Sequence, residues 1–536
     1  MPEITEGEAH MEHPPTDPAS MQAAAHLDRE REIFAELQTR LPGIYSAFGD
    51  RSAQQTVLII PSLSLDAEVL AKISGVHHYE ERLLCLLILL RLPRVNIVFV
   101  TSQPIHDSII DYYLHLLPGI PSKHARKRLT LLNCHDASPA PLTQKILERP
   151  RLLEQIRRSI VNPSLSHITC FNATPLERAL SVALDLPLYA CDPDRIHYGS
   201  KSHGREIFRA AGVDIPDGIE HLHDEGQLVK ALAEVKIRNP DLRRVVIKLN
   251  EGFSGEGNAL FEYDPDEAPE GREELEGWIA AELSSRIRFE AGDMTWDVYL
   301  EKLGEMGGIV ECWIEGQEKC SPSVQCRIDP LGKVSIISTH DQVLGGPSGQ
   351  IYLGCTFPAD ERYRFDIQEA GLKIGRVLKE KGVLGVWGVD FVSVKSGDQW
   401  THYAIEINLR KGGTTFPFLA LQFLTDGAYD AESGVYRLPS GQPRCYYASD
   451  NLQKPRYKGL SPDDLVDIMV FHQLHFDSTA QQGVVFHLMG ALSEFGKFGV
   501  TCIGEDPEQA ENLYRKTMRI LDQETSQEAA VFQPGR

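Results

Sequence analysis

The region from Thr56 to Cys191 alternates short β-rich runs with helical patterns, and this alternation constrains the fold more than any other feature of the chain. The β-rich runs are TVLIIP, VNIVFVT, LTLLNC, HITCFN and LPLYAC. Strands that alternate with helices predict a parallel sheet with helices packed on its faces. Asp192, Pro193 and Asp194 interrupt the alternation, and we place a domain boundary there.

Two further regions follow this boundary, as expected for a chain of 536 residues, which exceeds what one core usually supports. Up to about Leu424 the pattern predicts paired strands with glycine-rich turns. From about Thr425 a Gly/Ser/Pro-rich loop precedes a predicted helix, strand and helix, which suggests a small α+β unit. The predicted organisation is a disordered leader and N-terminal helix at 1–48, an α/β domain at 49–192, a central domain at 193–424 and an α+β domain at 425–536.

Composition excludes several classes of function. The formal net charge of -22 opposes attraction to phosphate backbones and anionic lipids, so nucleic acid and membrane are not expected as partners. The most apolar segment, Leu83 to Leu90, is far shorter than the roughly 20 residues of a membrane span and predicts a buried helix. The N-terminus has no basic start or apolar core, so no secretory signal is expected. Ten cysteines without a CxxC pair favour a reducing, cytoplasmic location.

A lysine precedes a glycine-rich loop in VVIKLNEGFSGEGNALFEY, Val245 to Tyr263. Strand alternation places Lys248 on the face opposite the apolar residues, while the loop Gly252 to Gly257 lets backbone N–H groups approach an anion. The loop is not a Walker motif, because Asn258 and Ala259 stand where Lys and Ser/Thr belong. A strand follows it, so the loop would cover a phosphate as a hairpin flap. The alternative is a hairpin turn without a ligand.

A second hairpin is predicted around Ser396, Gly397 and Asp398, between two apolar runs. Glu406 and Asn408 share one face of its second strand. The opposite face holds the apolar positions Tyr403, Ile405, Ile407 and Leu409. If the hairpin closes symmetrically about Asp398, Asp390 lies opposite Glu406, with Cβ atoms about 5 Å apart.

Two ionised carboxylates ~4 Å apart repel by about 4 kcal/mol at an effective dielectric constant of 20, so this pair needs a cation or a shared proton. The oxygen ligands of Asp390, Glu406 and Asn408 suit Mg²⁺, with Mn²⁺ as an alternative metal. In the competing interpretation the carboxylates are splayed and solvated. A register slip of one residue would separate them.

The order of these parts resembles the ATP-grasp superfamily of carboxylate-amine ligases. More narrowly, HYEERLL, TSQPI, PLTQKILERPRLL, GFSGEGN and FHLMGALSEFGKFG are similar to the peptide ligases of the pheganomycin type, over most of residues 50–515. The resemblance implies a chain of the α/β and α+β classes. A Rossmann-like parallel-sheet domain would precede the ATP-grasp fold, and a small α+β domain would follow it.

The resemblance also implies roles for individual residues toward ATP. Lys201 and Lys248 would bind the α and β phosphates, and Ser254 and Gly255 in the loop would cover the γ phosphate. Lys201 takes the role of the first lysine because it stands eleven residues before Gly212. One departure from the family pattern is Arg195, which follows Asp194 where many relatives have an Asp-Lys pair.

The hinge GIVECWIEGQE would hold the nucleoside. Glu311, Trp313 and Ile314 would border the adenine, partly through backbone groups, and Glu318 would bind the ribose hydroxyls. Arg410, two residues after Asn408, would stabilise the charge that develops during phosphoryl transfer. Its alternative role is a surface ion pair.

The implied reaction is ATP-dependent amide formation through an acyl phosphate, with release of ADP and phosphate. The partners would be a small-molecule carboxylate and an amine, as amino-acid or peptide substrates. The alternatives are an ATP-grasp kinase or carboxylase, or a noncatalytic ATP-binding scaffold. The sequence leaves the oligomeric state open, and a homodimer is the commonest assembly of soluble oligomers.

Overall fold

The computed structural model describes residues 18–65, 67–252, 257–345 and 351–531. The first 17 residues, part of the predicted leader, lie outside these ranges. Two N-terminal helices follow, α1 (Pro18–Gln38) and α2 (Leu41–Ala47). The side chain of Glu30 on α1 accepts a hydrogen bond from Arg178 Nε at 3.0 Å, which ties the N-terminal helices to the unit that follows.

The predicted parallel sheet is present. Its strands are β1 (Gln55–Ile60), β2 (Val95–Thr101), β3 (Leu129–Asn133) and β4 (His167–Cys170), in the order β3-β2-β1-β4. The flanking helices are α3 (Ala67–Lys72), α4 (Asp107–Leu116), α5 (Ser122–Arg126), α6 (Leu142–Leu147), α7 (Pro150–Ser159) and α8 (Pro175–Leu184). The run LPLYAC forms only an isolated bridge between Leu188 and Ile168, so the strand predicted there is wrong.

The predicted buried helix around Leu83 to Leu90 is a 3-10 helix over Val76–Arg91. Leu84, Leu87 and Leu90 are fully buried, which explains the apolar composition of the segment. Shorter 3-10 helices occur at Pro163–Leu165, Pro193–Gly199, Pro455–Tyr457 and Met489–Ala491. None of the helices described in this structure is long and apolar enough to cross a membrane.

An antiparallel sheet of five described strands follows, in the order β5-β9-β6-β7-β8. Its strands are β5 (Gly218–Leu222), β6 (Arg244–Leu249), β7 (Asn258–Glu262), β8 (Arg288–Phe289) and β9 (Gly308–Cys312). Its helices are α9 (Lys201–Ala210), α10 (Glu225–Arg238), α11 (Arg272–Arg286) and α12 (Trp296–Met306). Val245, Ile247 and Leu249 point into its core, as strand alternation predicts.

A second antiparallel sheet has nine strands in the described part of the chain. They are β10 (Glu318–Cys320), β11 (Pro322–Ile328), β12 (Val334–Gly345), β13 (Ile351–Phe357), β14 (Gly385–Ser396), β15 (Gln399–Asn408), β18 (Cys445–Gln453), β19 (Gly483–His487) and β20 (Lys497–Gly504). Its order is β10-β14-β11-β12-β13-β18-β20-β19, with β15 paired to β14. A separate ribbon joins β16 (Ala428–Asp430) to β17 (Val435–Arg437). The remaining helices are α13 (Arg364–Glu380), α14 (Thr415–Thr425), α15 (Pro462–Phe471), α16 (Leu492–Phe495) and α17 (Pro507–Val531).

The C-terminal strands therefore extend the second sheet instead of forming a sheet of their own. They also share one hydrophobic core with β1, β2 and the 3-10 helix of the first unit. The hydroxyl of Tyr113 donates to the carbonyl of Phe486 at 3.2 Å, and the backbone N–H of Gly490 donates to Glu81. The first and last regions of the chain are thus packed against each other next to the cleft described below.

Candidate active site

A cleft of about 1050 Å³ lies between the two antiparallel sheets and reaches the 3-10 helix Val76–Arg91. Nine of the predicted site residues line it: Lys201, Lys248, Glu311, Trp313, Ile314, Asp390, Glu406, Asn408 and Arg410. Glu318 does not line it, and Ser254 and Gly255 lie outside the described residues. Residues more than 200 positions apart in sequence are therefore gathered around one space.

The two predicted lysines enter the cleft from different elements. Lys201 is the first residue of α9, whose N-terminus is capped by the hydroxyl of Ser200. Lys248 lies in β6 and points away from the core. Both are buried, with 8% and 6% exposure, and Lys201 Nζ lies 3.5 Å from Glu406 Oε1. Arg195 is exposed and does not line the cleft.

Glu311 holds Lys248 in place. Its carboxylate accepts a hydrogen bond from Lys248 Nζ at 2.6 Å and from Arg205 Nη1 at 2.5 Å, and it is only 2% exposed. The prediction placed Glu311 beside adenine, whereas in the structure its side chain neutralises two cations. Sequence reasoning did not find Arg205, whose only sign is its position one helical turn after Lys201.

The glycines at the base of the loop are needed for close packing. A Cβ atom on Gly252 would lie 3.3 Å from the backbone nitrogen of Gly257, and one on Gly257 would lie 3.1 Å from Leu249 Cβ. The carbonyl of Gly257 accepts a hydrogen bond from the backbone N–H of Leu249 at 3.0 Å. These two glycines therefore let the flap strands approach each other directly beside Lys248.

The hinge segment between β9 and β10 forms another wall. The ring of Trp313 has the guanidinium of Arg244 4.7 Å from its centroid and Lys319 Nζ 4.3 Å from it. Lys319 also donates to the carbonyl of Ile314 at 3.1 Å. Trp313 and Ile314 both line the cleft, where a flat aromatic ring could contact their side chains.

The structure does not place Glu318 in the cleft with the other predicted residues. This residue begins β10 opposite Lys395, and its carboxylate pairs with Arg362 Nη1 at 2.8 Å and Lys395 Nζ at 3.7 Å. The side chain is 42% exposed and lies outside the cleft. Glu315, three residues earlier, does line the cleft, and Arg244 Nε donates to it at 2.8 Å.

The second hairpin places Asp390 directly opposite Glu406, as predicted. The closure differs from the prediction, because Ser396 pairs with Gln399 across a two-residue turn and the register then shifts between Asp390 and Phe391. This β-bulge also corrects the predicted faces of the strand. Ile407 and Leu409 are in the core as expected, but Ile405 lines the cleft.

The two carboxylates have opposite electrostatic environments. Burial and the charge of Glu406 raise the pKa of Asp390 to about 7, against the lowering effects of Arg410, Gln342 and Asn408. Burial also disfavours ionisation of Glu406, but Lys201, Arg410 and Lys248 outweigh it and lower its pKa. Gln342 Nε2 donates to Asp390 Oδ1 at 2.7 Å, and Asn408 Nδ2 donates to Oδ2 at 3.0 Å. Nearby cations therefore stabilise the ionised form of Glu406 more than that of Asp390.

Arg410 lines the cleft next to this pair. Its Nη1 donates to the carbonyl of Lys411 at 3.3 Å, and it forms no ion pair within the described ranges. The next residue, Lys411, donates to Thr169 Oγ1 at 3.1 Å and to the carbonyl of Cys170. This contact with β4 anchors the segment that carries Arg410, and sequence reasoning did not predict it.

Comparison with known proteins gives the following matches. The family model described as IQCH-like, ATP-grasp matches residues 195–264 and 272–432, and the PGM1 C-terminal domain model matches 464–517. The L-propargylglycine–L-glutamate ligase of Streptantibioticus cattleyicolor is 32% identical over 476 residues, which cover 87% of this chain and 94% of that protein. IQ motif-containing protein H of Danio rerio is 22% identical, over 89% of this chain and 49% of that protein.

A solved structure with a similar fold is the biotin carboxylase domain of the Hydrogenobacter thermophilus 2-oxoglutarate carboxylase, in complex with MgADP, ADP and bicarbonate. Its TM-score is 0.50 at 12% identity, and the match covers 87% of this chain and 89% of that one. At this identity the likeness concerns the fold alone.

Proposed function

This chain belongs to the ATP-grasp peptide ligases of the pheganomycin type, and we propose that it uses ATP to join a carboxylate to an amine. The same matches confirm the predicted fold class, in which a Rossmann-like parallel sheet precedes the ATP-grasp fold and a C-terminal α+β region follows. The chain is an enzyme of the ligase class.

One observation carries the proposal for the site. Two buried lysines, a facing carboxylate pair and an arginine without an ion pair in the described residues line one cleft. A triphosphate needs cations around its oxygens and a metal site beside them, and catalysis of phosphoryl transfer depends mainly on positioning and charge neutralisation. The lysines and Arg410 would supply the cations, and the carboxylate pair would supply metal ligands.

The ligands around Asp390 fit Mg²⁺, with Mn²⁺ as an alternative. Two carboxylates and an amide supply hard oxygen atoms, and the raised pKa of Asp390 indicates that an added positive charge would be stabilised there. Asp390, Glu406 and Asn408 would hold the ion, which would neutralise phosphate charge when bound.

The chain's own residues perform the remaining tasks. Lys201 and Lys248 would bind the α and β phosphates, and Glu311 would keep Lys248 in position. Trp313 and Ile314 would contact adenine. The proposed covering of the γ phosphate by Ser254 and Gly255 stays a prediction.

Two steps of bond making follow. A carboxylate oxygen attacks the γ phosphorus and the bond from that phosphorus to the β-phosphate oxygen breaks, which releases ADP. The amine nitrogen then attacks the acyl carbon, the carbon–oxygen bond to phosphate breaks, and the nitrogen loses a proton. Arg410 would stabilise the charge that builds up on the transferring group.

The substrates are proposed at the level of class. The relative from Streptantibioticus cattleyicolor is named for two amino acids, so we infer that amino acids or peptides supply the carboxylate and the amine here. A kinase, a carboxylase and a noncatalytic scaffold are the competing functions for such a cleft.

The test measures ADP release with paired carboxylates and amines, and identifies products by mass spectrometry. A donor labelled with ¹⁸O in its carboxylate should transfer label to phosphate. A phosphorylated end product would indicate a kinase, bicarbonate dependence a carboxylase, and ATP binding without ADP release a scaffold. Glu406→Gln should abolish ADP release while the protein stays folded; retention of more than about a tenth of the turnover would contradict the proposed metal ligands.

A further inference from the structure

The part of the cleft formed by the first and last regions of the chain contains an ion pair that the proposed ATP and metal site does not use. Arg82 Nη2, on the 3-10 helix Val76–Arg91, lies 2.6 Å from Asp450 Oδ2, on β18. The two residues are 368 positions apart, both line the cleft, and each side chain is 12% exposed. Arg410 lines the same cleft, so the pair shares this space with the proposed reaction centre.

Arg82 has hydrogen-bond donors that Asp450 does not use. Of the five N–H groups of a guanidinium, Asp450 accepts one, and Nε is buried without a hydrogen-bond partner among the described residues. One face of the guanidinium stacks on Tyr79, 4.1 Å from the ring centroid, so the edge carries the free donors. Lys497 Nζ on β20 donates to the Tyr79 hydroxyl at 2.7 Å and fixes this ring. An incoming carboxylate would bind the N–H groups on the part of the guanidinium that lines the cleft, and such charge-assisted hydrogen bonds are the stronger ones.

The backbone around Asp450 is irregular. The pairing of β18 with β20 shifts register between Ser449 and Leu452, so Asp450 lies in a β-bulge. Bulges frequently redirect side chains next to active sites.

We propose that Arg82 and Asp450 bind the head group of a free α-amino acid, with its carboxylate on Arg82 and its amino group on Asp450. The proposal deepens the ligase function and rests on it. A free amino acid carries an ammonium group and a carboxylate on one carbon atom. In the cleft, the Asp450 carboxylate and the Arg82 guanidinium lie side by side and could bind these two groups together. The head group belongs to the amine acceptor, or to a donor that is activated through a different carboxylate.

The experiment uses Arg82→Met and Asp450→Asn, with Arg91→Met as a matched control. Arg91 lies on the same helix and forms a more exposed ion pair with Asp426 at 2.8 Å, and neither residue lines the cleft. ADP release is measured at saturating MgATP with pairs drawn from the proteinogenic L-amino acids and their α-amides.

Arg82→Met should raise the KM of one amino-acid substrate by about 10- to 150-fold, the range expected for a hydrogen bond to a charged group, with the KM of ATP changed less than about twofold. The wild-type protein should discriminate against the α-amide of that substrate by a similar factor, and Arg82→Met should not. Asp450→Asn should raise the same KM, and Arg91→Met should leave it unchanged.

Hydroxylamine as a substitute acceptor identifies the source of the head group. If hydroxamate formation in Arg82→Met falls as much as ligation does, the head group belongs to the donor; if only ligation falls, it belongs to the acceptor. Unchanged KM values for every amino acid in both variants, or a wild-type protein that accepts acid and α-amide equally, would overturn the proposal.

If the protein is not a ligase, the result differs from the one that overturns the head-group site. In that case the wild-type protein releases no ADP with any pair, and calorimetric titration of the ATP-loaded protein with the same amino acids and α-amides tests the site directly. Binding of an acid with at least about tenfold preference over its amide supports the head-group site. Absence of binding, or equal binding of both forms, overturns it.

Discussion

Replacing Asp390 with asparagine should stabilise the protein in the absence of divalent cations and remove its response to them. Burial and the charge of Glu406 raise the pKa of Asp390 to about 7, so its ionised form is held in an unfavourable place. An asparagine has nearly the same shape. It can still accept the hydrogen bond from Gln342, and Asn408 needs only to turn its amide so that its oxygen accepts from the new NH₂ group.

The size and pH dependence of this effect follow from linkage. The pKa rises from 3.8 to about 7 on folding, and each unit corresponds to about 1.4 kcal/mol, so the upper limit is about 4 kcal/mol. Because the folded-state pKa is the higher one, the unfolded chain loses this proton first. The free energy of unfolding therefore falls as the pH rises from about 4 to about 7 and is lowest above that window. Asparagine does not titrate, so the variant does not lose this stability. Its free energy of unfolding should therefore exceed that of the wild-type protein by an amount that grows with pH to about 2–4 kcal/mol at pH 8.

The assay is denaturant unfolding in EDTA at pH 5 and pH 8. Asp398→Asn, at the exposed turn of the same hairpin, is the matched control and should show no such growth. MgATP at 100 times its dissociation constant should stabilise the wild-type protein by about 2.7 kcal/mol and the Asp390 variant much less. The reasoning is refuted if Asp390→Asn is no more stable than the wild-type protein at pH 8, or if the difference is the same at both pH values.

Three further predictions concern the same cleft. Glu311→Gln leaves Lys248 and Arg205 without their shared counter-charge and should lower the free energy of unfolding by about 3 kcal/mol in urea titrations; an unchanged value would contradict the role of this buried group. Lys201→Met should raise the KM of ATP at least about tenfold, whereas Lys373→Met, which removes an exposed lysine, should not; equal KM values would exclude Lys201 from the phosphate site. Glu318→Gln should change the KM of ATP by less than about twofold, because Glu318 does not line the cleft and its carboxylate is paired with Arg362 and Lys395; a tenfold rise would support its predicted contact with ribose.

The hairpin shows why a correct strand pairing can follow from an incomplete prediction. Symmetrical closure about Asp398 pairs Asp390 with Glu406, but the structure pairs Ser396 with Gln399, which by itself would shift the register by one residue. The bulge near Ile405 restores the pairing at the carboxylates. Strand alternation assumes an uninterrupted ladder, so it could not reveal the bulge and assigned Ile405 to the wrong face.

The position of Glu318 and the contact of Arg205 could not be predicted because both depend on residues far away in sequence. The hinge pattern gave Glu318 the correct spacing, but its direction depends on Lys395 and Arg362, which lie on distant segments. Arg205 reaches Glu311 across 106 positions, and no local pattern indicates this contact. Lys248 could be predicted because its direction follows from the alternation of its own strand.

The same distinction separates the two halves of the cleft. The proposed nucleotide half comes from residues 201–410, and the patterns that predicted it, the strand of Lys248 and the hairpin of Asp390 and Glu406, are local in sequence. The other half joins Arg82 on the 3-10 helix to Asp450 on β18, and Lys497 on β20 supports Tyr79 beside them. Because the first and last regions of the chain share one hydrophobic core, the positions of Arg82 and Asp450 depend on packing across that whole core. Sequence patterns can therefore indicate the proposed nucleotide half, whereas the pairing of Arg82 with Asp450 depends on contacts that only the folded chain brings together.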